Sequence, residues 1–377
     1  MSGIKLRLLA SGVLVALAVL ALSACGEARG GGGGQEANKE SATGDGDVTN
    51  GQIAFRRWFD PDHTKAALFM MNPDGCHVRQ ITHPPKGWRD DFPMWSPDGK
   101  KVAFQRQRID ESTSRIMVVN PDTGGAAEIT PCTGRCVANF DPAFSRDGDS
   151  IAFSRQVGPS SLKGEPRPIK NFSWPESKNY WAIFIDGLDG SHPHQITNID
   201  PKLPANCCVS DSEPAFSPDG KMVVFARLRE GPDEHQAIFI QPIGSPQDAR
   251  QITPWDLDCQ DFPEFSPDGK LVLFRCLPKG EEGPSNLYWV HPDGTSLHKL
   301  THEEDADKQY LGSSFSPSFS GEGGWITAGR TGGYGDEGNA DVFRLLIKDG
   351  EVVREVNLTK SAIWDSAPVW GSHQPVG

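Results

Sequence analysis

The 377-residue sequence contains no long amphipathic helical pattern. Its longest apolar run, Leu8 to Leu22, is shorter than the roughly 20 residues a bilayer core requires. It is also short of bases: 37 Lys and Arg stand against 50 Asp and Glu, a net charge of −13. A nucleic-acid binder carries a basic face, so that class is excluded. Surplus acid keeps a surface soluble and is compatible with cationic partners. There is no G-x-S-x-G nucleophile elbow, and only seven residues follow Trp370. A serine peptidase domain after this point is therefore not expected. Neither a twelve-residue calcium loop nor a zinc-finger cysteine spacing occurs.

What the sequence has is turn residues, with Gly 41 and Pro 30, and a repeated phrase. The phrase P-x-[FW]-S-x-D-G reads Pro93-Met94-Trp95-Ser96-Pro97-Asp98-Gly99. It returns from Pro142 to Gly148, from Pro214 to Gly220 and from Pro263 to Gly269. A degraded copy runs from Pro317 to Gly323, and a fragment, Pro368-Val369-Trp370-Gly371, ends the series. Such a period signals a repeat architecture. Pro presets φ, while Asp and Gly supply a polar corner and a left-handed residue, so each phrase predicts a tight hairpin. An apolar strand follows each turn, as in Val102-Ala103-Phe104 and Val223-Val224-Phe225. The aromatic of each phrase is expected to pack between neighbouring sheets.

Each full unit closes on Ile-Thr or Leu-Thr: Ile129-Thr130, Ile196-Thr197, Ile252-Thr253, Leu300-Thr301 and Leu358-Thr359. The first unit, opening at Gln52, lacks its leading strand, and residues 367–370 supply one at the far end. A chain that donates its last strand to its first unit closes a ring and removes the open edges. The expected fold is all-β: a six-bladed propeller over residues 51–372, with four antiparallel strands per blade. An open solenoid would need caps and shorter repeats.

The phrase, the Leu/Ile-Thr strand ends and the six-unit closure resemble the WD40-like propeller of the Tol-system protein TolB and its exported relatives. The resemblance covers roughly residues 51–372. It implies a propeller whose family hosts scaffolds, sensors and enzyme accessory domains. The chain departs from TolB in having a Gly-rich tether where TolB has a preceding α/β domain.

Residues 1–24 read as an export signal: Lys5 and Arg7, then the apolar run. The sequence Leu22-Ser23-Ala24-Cys25 resembles the bacterial lipoprotein signal, in which the Cys is lipidated. Residues 25–50, with Gly30 to Gly34, form a flexible tether. The expectation is an exported protein anchored to the membrane through Cys25, periplasmic or on the outer cell surface.

Propeller ligands usually meet the loops and the channel mouth. The acids just before the innermost strands, Asp90, Asp91, Asp141, Asp211, Glu213, Asp261 and Asp365, together with Asn139, are candidates to line it. They suit a cationic protein segment or a divalent cation, or else merely cap loop backbone. No cofactor is expected. Glu264 stands where other units have Met94, Ala143, Ala215, Ser318 and Val369. A buried acid needs a partner, and Arg275 on the neighbouring strand is the candidate. The third unit carries an insertion, about Gln156 to Asn179: its turn-to-turn spacing from Ser145 to Ser217 is 72, against 49 from Ser96 to Ser145. Lys163, Arg167, Lys170, Phe172 and Trp174 make it a candidate recognition loop.

Eight cysteines in an exported chain permit disulfides. Cys132 with Cys136 and Cys259 with Cys276 are the candidate pairs, with Cys76 expected to be free. The reading is a lipid-anchored module of the cell envelope that binds a protein or envelope ligand. The alternative is an envelope lyase or hydrolase acting on carbohydrate or peptide from the channel face.

Overall fold

Each phrase folds into the same corner. In the computed structural model, which describes residues 50–134, 136–157, 180–190, 192–197, 209–229, 235–277, 284–303, 314–331 and 339–373, the Gly99 amide donates to the Ser96 carbonyl at 2.9 Å. Gly99 has φ 68°, the left-handed residue the turn demands. The Ser96 hydroxyl donates to Asp98 at 2.7 Å and accepts the Lys101 amide at 2.9 Å. The same bonds recur at Ser145, Ser217 and Ser266. These serine hydroxyls hold Asp98, Asp147 and Asp219 below the usual carboxylate range, and Asp268 at about 2.

Six four-stranded antiparallel sheets result. Blade 1 has β1 (Gln52–Trp58), β2 (Ala66–Met71), β3 (Arg79–Gln80) and, as its first strand, the C-terminal β24 (Asp365–Gly371). Blade 2 has β4 (Trp88–Trp95), β5 (Val102–Arg108), β6 (Ser114–Asn120) and β7 (Gly124–Glu128). Blade 3 has β8 (Cys136–Phe144), β9 (Ser150–Val157), β10 (Tyr180–Gly187) and β11 (His194–Gln195). Blade 4 has β12 (Val209–Phe216), β13 (Met222–Arg229), β14 (His235–Pro242) and β15 (Arg250–Gln251). Blade 5 has β16 (Cys259–Phe265), β17 (Val272–Cys276), β18 (Asn286–Val290) and β19 (His298–Lys299). Blade 6 has β20 (Ser314–Phe319), β21 (Trp325–Thr331), β22 (Ala340–Lys348) and β23 (Glu351–Asn357). β24 pairs antiparallel with β1, placing Trp370 opposite Ile53 and closing the ring as expected. Each first strand also touches the first strand of the next blade, so these six surround the axis.

The core lies between blades. Trp95 packs with Leu68 and Met70 of blade 1 and Phe104 of its own blade. Phe144, Phe216, Phe265, Phe319 and Trp370 bridge the five other junctions in the same way. The phenylalanines of the second strands, Phe55, Phe104, Phe153, Phe225 and Phe274, are fully buried. Each stabilises the fold by roughly 1.5–3 kcal/mol. The outermost strands are short, only two residues in β3, β11, β15 and β19. The closing threonine extends their reach: Thr82, Thr197, Thr253 and Thr301 each accept a third-strand amide at 2.9–3.0 Å.

Candidate functional site

The first and second strands of the blades carry a ladder of charge. The second strands of blades 1 to 4 read Phe-x-Arg, and the Arg lies opposite a first-strand residue three before the phrase Pro. Asp365 takes two bonds from Arg57 at 2.7 Å, and Asp90 takes two from Arg106 at 2.6 and 2.8 Å. Asp211 takes two from Arg227 at 2.7 and 2.9 Å. Each guanidinium also lies over the preceding Phe, at 5.3–5.5 Å from the ring centroid. Blade 3 has Asn139 in the acid's place, bonded to Arg155 at 2.8 Å. Burial lowers Arg155 to about 10. In blade 5 the Cys259–Cys276 disulfide occupies this rung, since Cys259 is in register with Cys276 as Asp211 is with Arg227.

Asp90, Asp211 and Asp365 were expected just before the innermost strands, lining the channel mouth. They lie within those strands, almost fully buried. The strands begin earlier than the phrase suggests, because a bulge at the residue preceding each phrase Pro lets pairing continue beyond it. Those residues, Phe92, Asp141, Glu213, Phe262, Ser316 and Ala367, all have positive φ, between 47° and 57°. None is glycine, so the ring of bulges stores backbone strain. Blade 5 carries one extra residue in its bulge, and Asp261 joins Phe262 in the left-handed region at φ 74°.

The bulges are clasped blade to blade by the remaining acids. Asp141 accepts the Ser154 hydroxyl at 2.8 Å, and Ser154 accepts the Glu213 amide at 3.1 Å. Glu213 Oε2 accepts the amides of Asp261 and Phe262 at 2.8 and 3.0 Å. Asp261 accepts the Ser316 amide at 2.5 Å and lies 3.5 Å from Arg275. Asp91 pairs with Arg56, which also donates to the Ser366 hydroxyl at 2.7 Å. Burial, then the charges of Asp141 and Asp261, push Glu213 above the carboxylate range, and burial raises Asp141 too. These carboxyls act first as acceptors for strained backbone.

Inside this belt lies a cavity of about 290 Å³, lined by the first strands of all six blades. Phe92 and Phe262 bound one end. At the other end are the phrase turns, where Arg146, Pro267 and Gly321 are exposed. The wall residues between Pro and aromatic are Met94, Ala143, Ala215, Glu264, Ser318 and Val369. Glu264 is the one acid among the lining residues described. It does not pair with Arg275: the extra residue in β16 sets Arg275 opposite Gln260, and Arg275 turns to Asp261. Glu264 instead accepts the Phe319 amide at 3.3 Å and bonds the Ser318 hydroxyl, both in blade 6. Burial pushes it up to about 7.

Cys132 and Cys136 are disulfide-bonded. Cys76, expected to be free, is disulfide-bonded as well. Gln156 and Val157 belong to β9, so the insertion between β9 and β10 begins at 158. Lys163, Arg167, Lys170, Phe172 and Trp174, like Cys25 and the segment before residue 50, lie outside the described residues. The strand ends joined by the insertion, Val157 and Tyr180, pair at the end opposite the phrase turns. Among the described residues no group of three His, Cys, Asp or Glu could hold a metal ion.

This architecture, a six-bladed ring with an axial cavity and a first blade completed by the last strand, is the TolB-like propeller fold. TolB from Acinetobacter baumannii superposes with a TM-score of 0.59 at 20% identity, over 88% of this chain and 68% of that one. A putative TolB from Agrobacterium tumefaciens gives 0.53 at 18% identity, over 86% and 91%. No protein-family model matches the chain. The chain is 27% identical over 160 residues to the uncharacterized peptidase YuxL of Bacillus subtilis (strain 168). That match takes in 38% of this chain, which spans only 23% of YuxL.

Proposed function

We propose that the protein is an exported, lipid-anchored interaction module of the cell envelope, binding a protein or envelope ligand through the propeller. The observation that carries this reading is the axial cavity, to which all six blades contribute and which reaches solvent through exposed turns. Ligand sites favour such largely apolar concavities with few polar groups. Export and anchoring are supported by the basic start, the apolar run and Leu22-Ser23-Ala24-Cys25. The likeness to TolB supports an envelope setting. In this reading the insertion, with its bases and aromatics, is the second recognition element.

The test is a crosslinking pull-down of the full-length protein from its own membranes, beside a copy with 158–179 replaced by a short Gly-rich turn. Capture of the same partner by the intact protein and its loss with the loop is the expected result. An empty pull-down, with Cys25 unlabelled by a fatty-acid probe, would overturn the reading.

A further inference from the structure

We propose that the axial cavity binds a primary alkylammonium group, a lysine side chain presented by a protein partner, with Glu264 as its counter-ion. This rests on the reading of the propeller as an interaction module and names the chemistry of that site.

Three observations converge. The first is shape: Phe92 and Phe262, in contact across the ring, line the deep end of the cavity, and its other end reaches solvent at the turns, where a ligand enters end-on. Its volume, about 290 Å³, sits at the small end of ligand pockets and suits one side chain. The second is chemistry. Met94, Ala143, Ala215 and Val369 offer an apolar sleeve for methylenes, while Glu264 places one carboxyl on the wall. A long aliphatic stem ending in a single charge matches that arrangement. The third is the state of the carboxyl. Among the described residues its bonds run to neutral donors, Ser318 and the Phe319 amide. Glu264 is half-buried in this largely apolar wall; a carboxylate there without a cation is costly, and an entering ammonium lowers that cost. The other blades make their junctions with no charge at the equivalent position, so blade closure alone does not call for an acid. The net charge of −13 draws cations toward the ring.

Apart from Arg146, the charged groups described around Glu264 are committed elsewhere. On its own sheet Asp261 and Arg275 face each other. On β12, Asp211 holds Arg227, and Glu213 accepts the blade 5 bulge amides. Arg330 of blade 6 pairs with Glu303 and Glu355. Asp141 of β8 bonds Ser154. Across the ring, Asp365, Asp90 and Asp91 hold Arg57, Arg106 and Arg56. Arg146 sits at the exposed mouth.

The experiment titrates Nα-acetyl-lysine amide and its isostere Nα-acetyl-norleucine amide into the full chain, at constant ionic strength and several pH values, by calorimetry. The lysine probe is expected to bind at least about tenfold more tightly than norleucine. Its affinity is expected to rise about tenfold per pH unit below pH ~7 and then level off, as the carboxyl ionises. Glu264→Gln is expected to flatten that profile and lose the preference for lysine. Equal binding of the two probes, no binding, or affinity that falls with rising pH would overturn the proposal. If the variant does not fold, the wild-type profile decides. The pull-down separates this inference from the wider reading. Partner capture indifferent to Glu264→Gln but lost with the loop leaves the module standing and removes the lysine site. Lysine binding with an empty pull-down does the reverse.

Discussion

Phe92 of blade 2 and Phe262 of blade 5 meet across the ring, their centroids 4.6 Å apart and their planes tilted by 34°. Opposite blades touch here because both residues sit on bulges that turn their side chains inward. The contact lies at the end of the cavity away from the phrase turns. Aromatic pairs of this geometry contribute about 0.5–1.5 kcal/mol beyond area burial. A double-mutant cycle of Phe92→Ala and Phe262→Ala, read by urea denaturation, is expected to return a coupling in that range. Additive losses would show that the rings do not support each other.

The bulge ring makes a second prediction, at Ala367. Alanine to glycine in a strand normally costs about 0.5–1 kcal/mol in backbone entropy, plus the lost methyl. Ala367 has φ 48°, where an L-residue is strained by roughly 1–2 kcal/mol and glycine is not. Ala367→Gly is therefore expected to cost at least about 1 kcal/mol less than Ala103→Gly, a buried position in regular β5. Equal losses in thermal or chemical denaturation would remove strain from the account.

The fold was legible because its information is local. Ser-Pro-Asp-Gly makes a turn whatever surrounds it, and Trp370 reads as a phrase aromatic even at the far end of the chain. The Arg ladder was present in the sequence as Phe104-Gln105-Arg106, Phe153-Ser154-Arg155 and Phe225-Ala226-Arg227, each set against a residue three before a phrase Pro. It stays hidden when the first strands are begun at the phrase, because the pairing that forms it lies before the bulge. A bulge carries no composition signal when its left-handed residue is Phe or Glu instead of Gly. Glu264 stood out by comparison with its counterparts. Its partner did not, because one extra residue in β16 moves Arg275 to Gln260 and Asp261.

The ladder itself is testable in blade 4. Arg227 and Asp211 have side chains only 9% and 1% exposed. Removing one partner of a buried pair leaves an uncompensated charge and costs about 3–5 kcal/mol. Arg227→Ala should fall in that range by chemical denaturation. The double replacement Asp211→Leu with Arg227→Met should recover much of the loss, since the desolvation cost leaves with the charges. A double variant as unstable as the single one would mean that the guanidinium matters through its packing on Phe225 and Phe239 at 5.3 and 4.6 Å.

The clasp at Glu213 links stability to pH, and the sign follows from its surroundings. Burial and the nearby Asp141 and Asp261 charges raise its folded pKa above the ordinary value of 4.5. The native state therefore holds its proton more tightly than the unfolded chain. The favourable contribution is complete below the unfolded value and is lost as pH rises through the folded one. Asp141, raised by burial, acts in the same direction. Glu213→Gln keeps an oxygen for the Asp261 and Phe262 amides and cannot ionise. Relative to wild type, this variant should be neutral or mildly destabilised near pH 4 and increasingly favoured as pH rises toward 9. Urea denaturation of both proteins across that range measures the difference directly. A wild-type advantage that grows with pH would mean that Glu213 works as a carboxylate, held by charge-assisted bonds to the bulge. Glu213 would then be an anion in the native belt rather than a neutral acceptor.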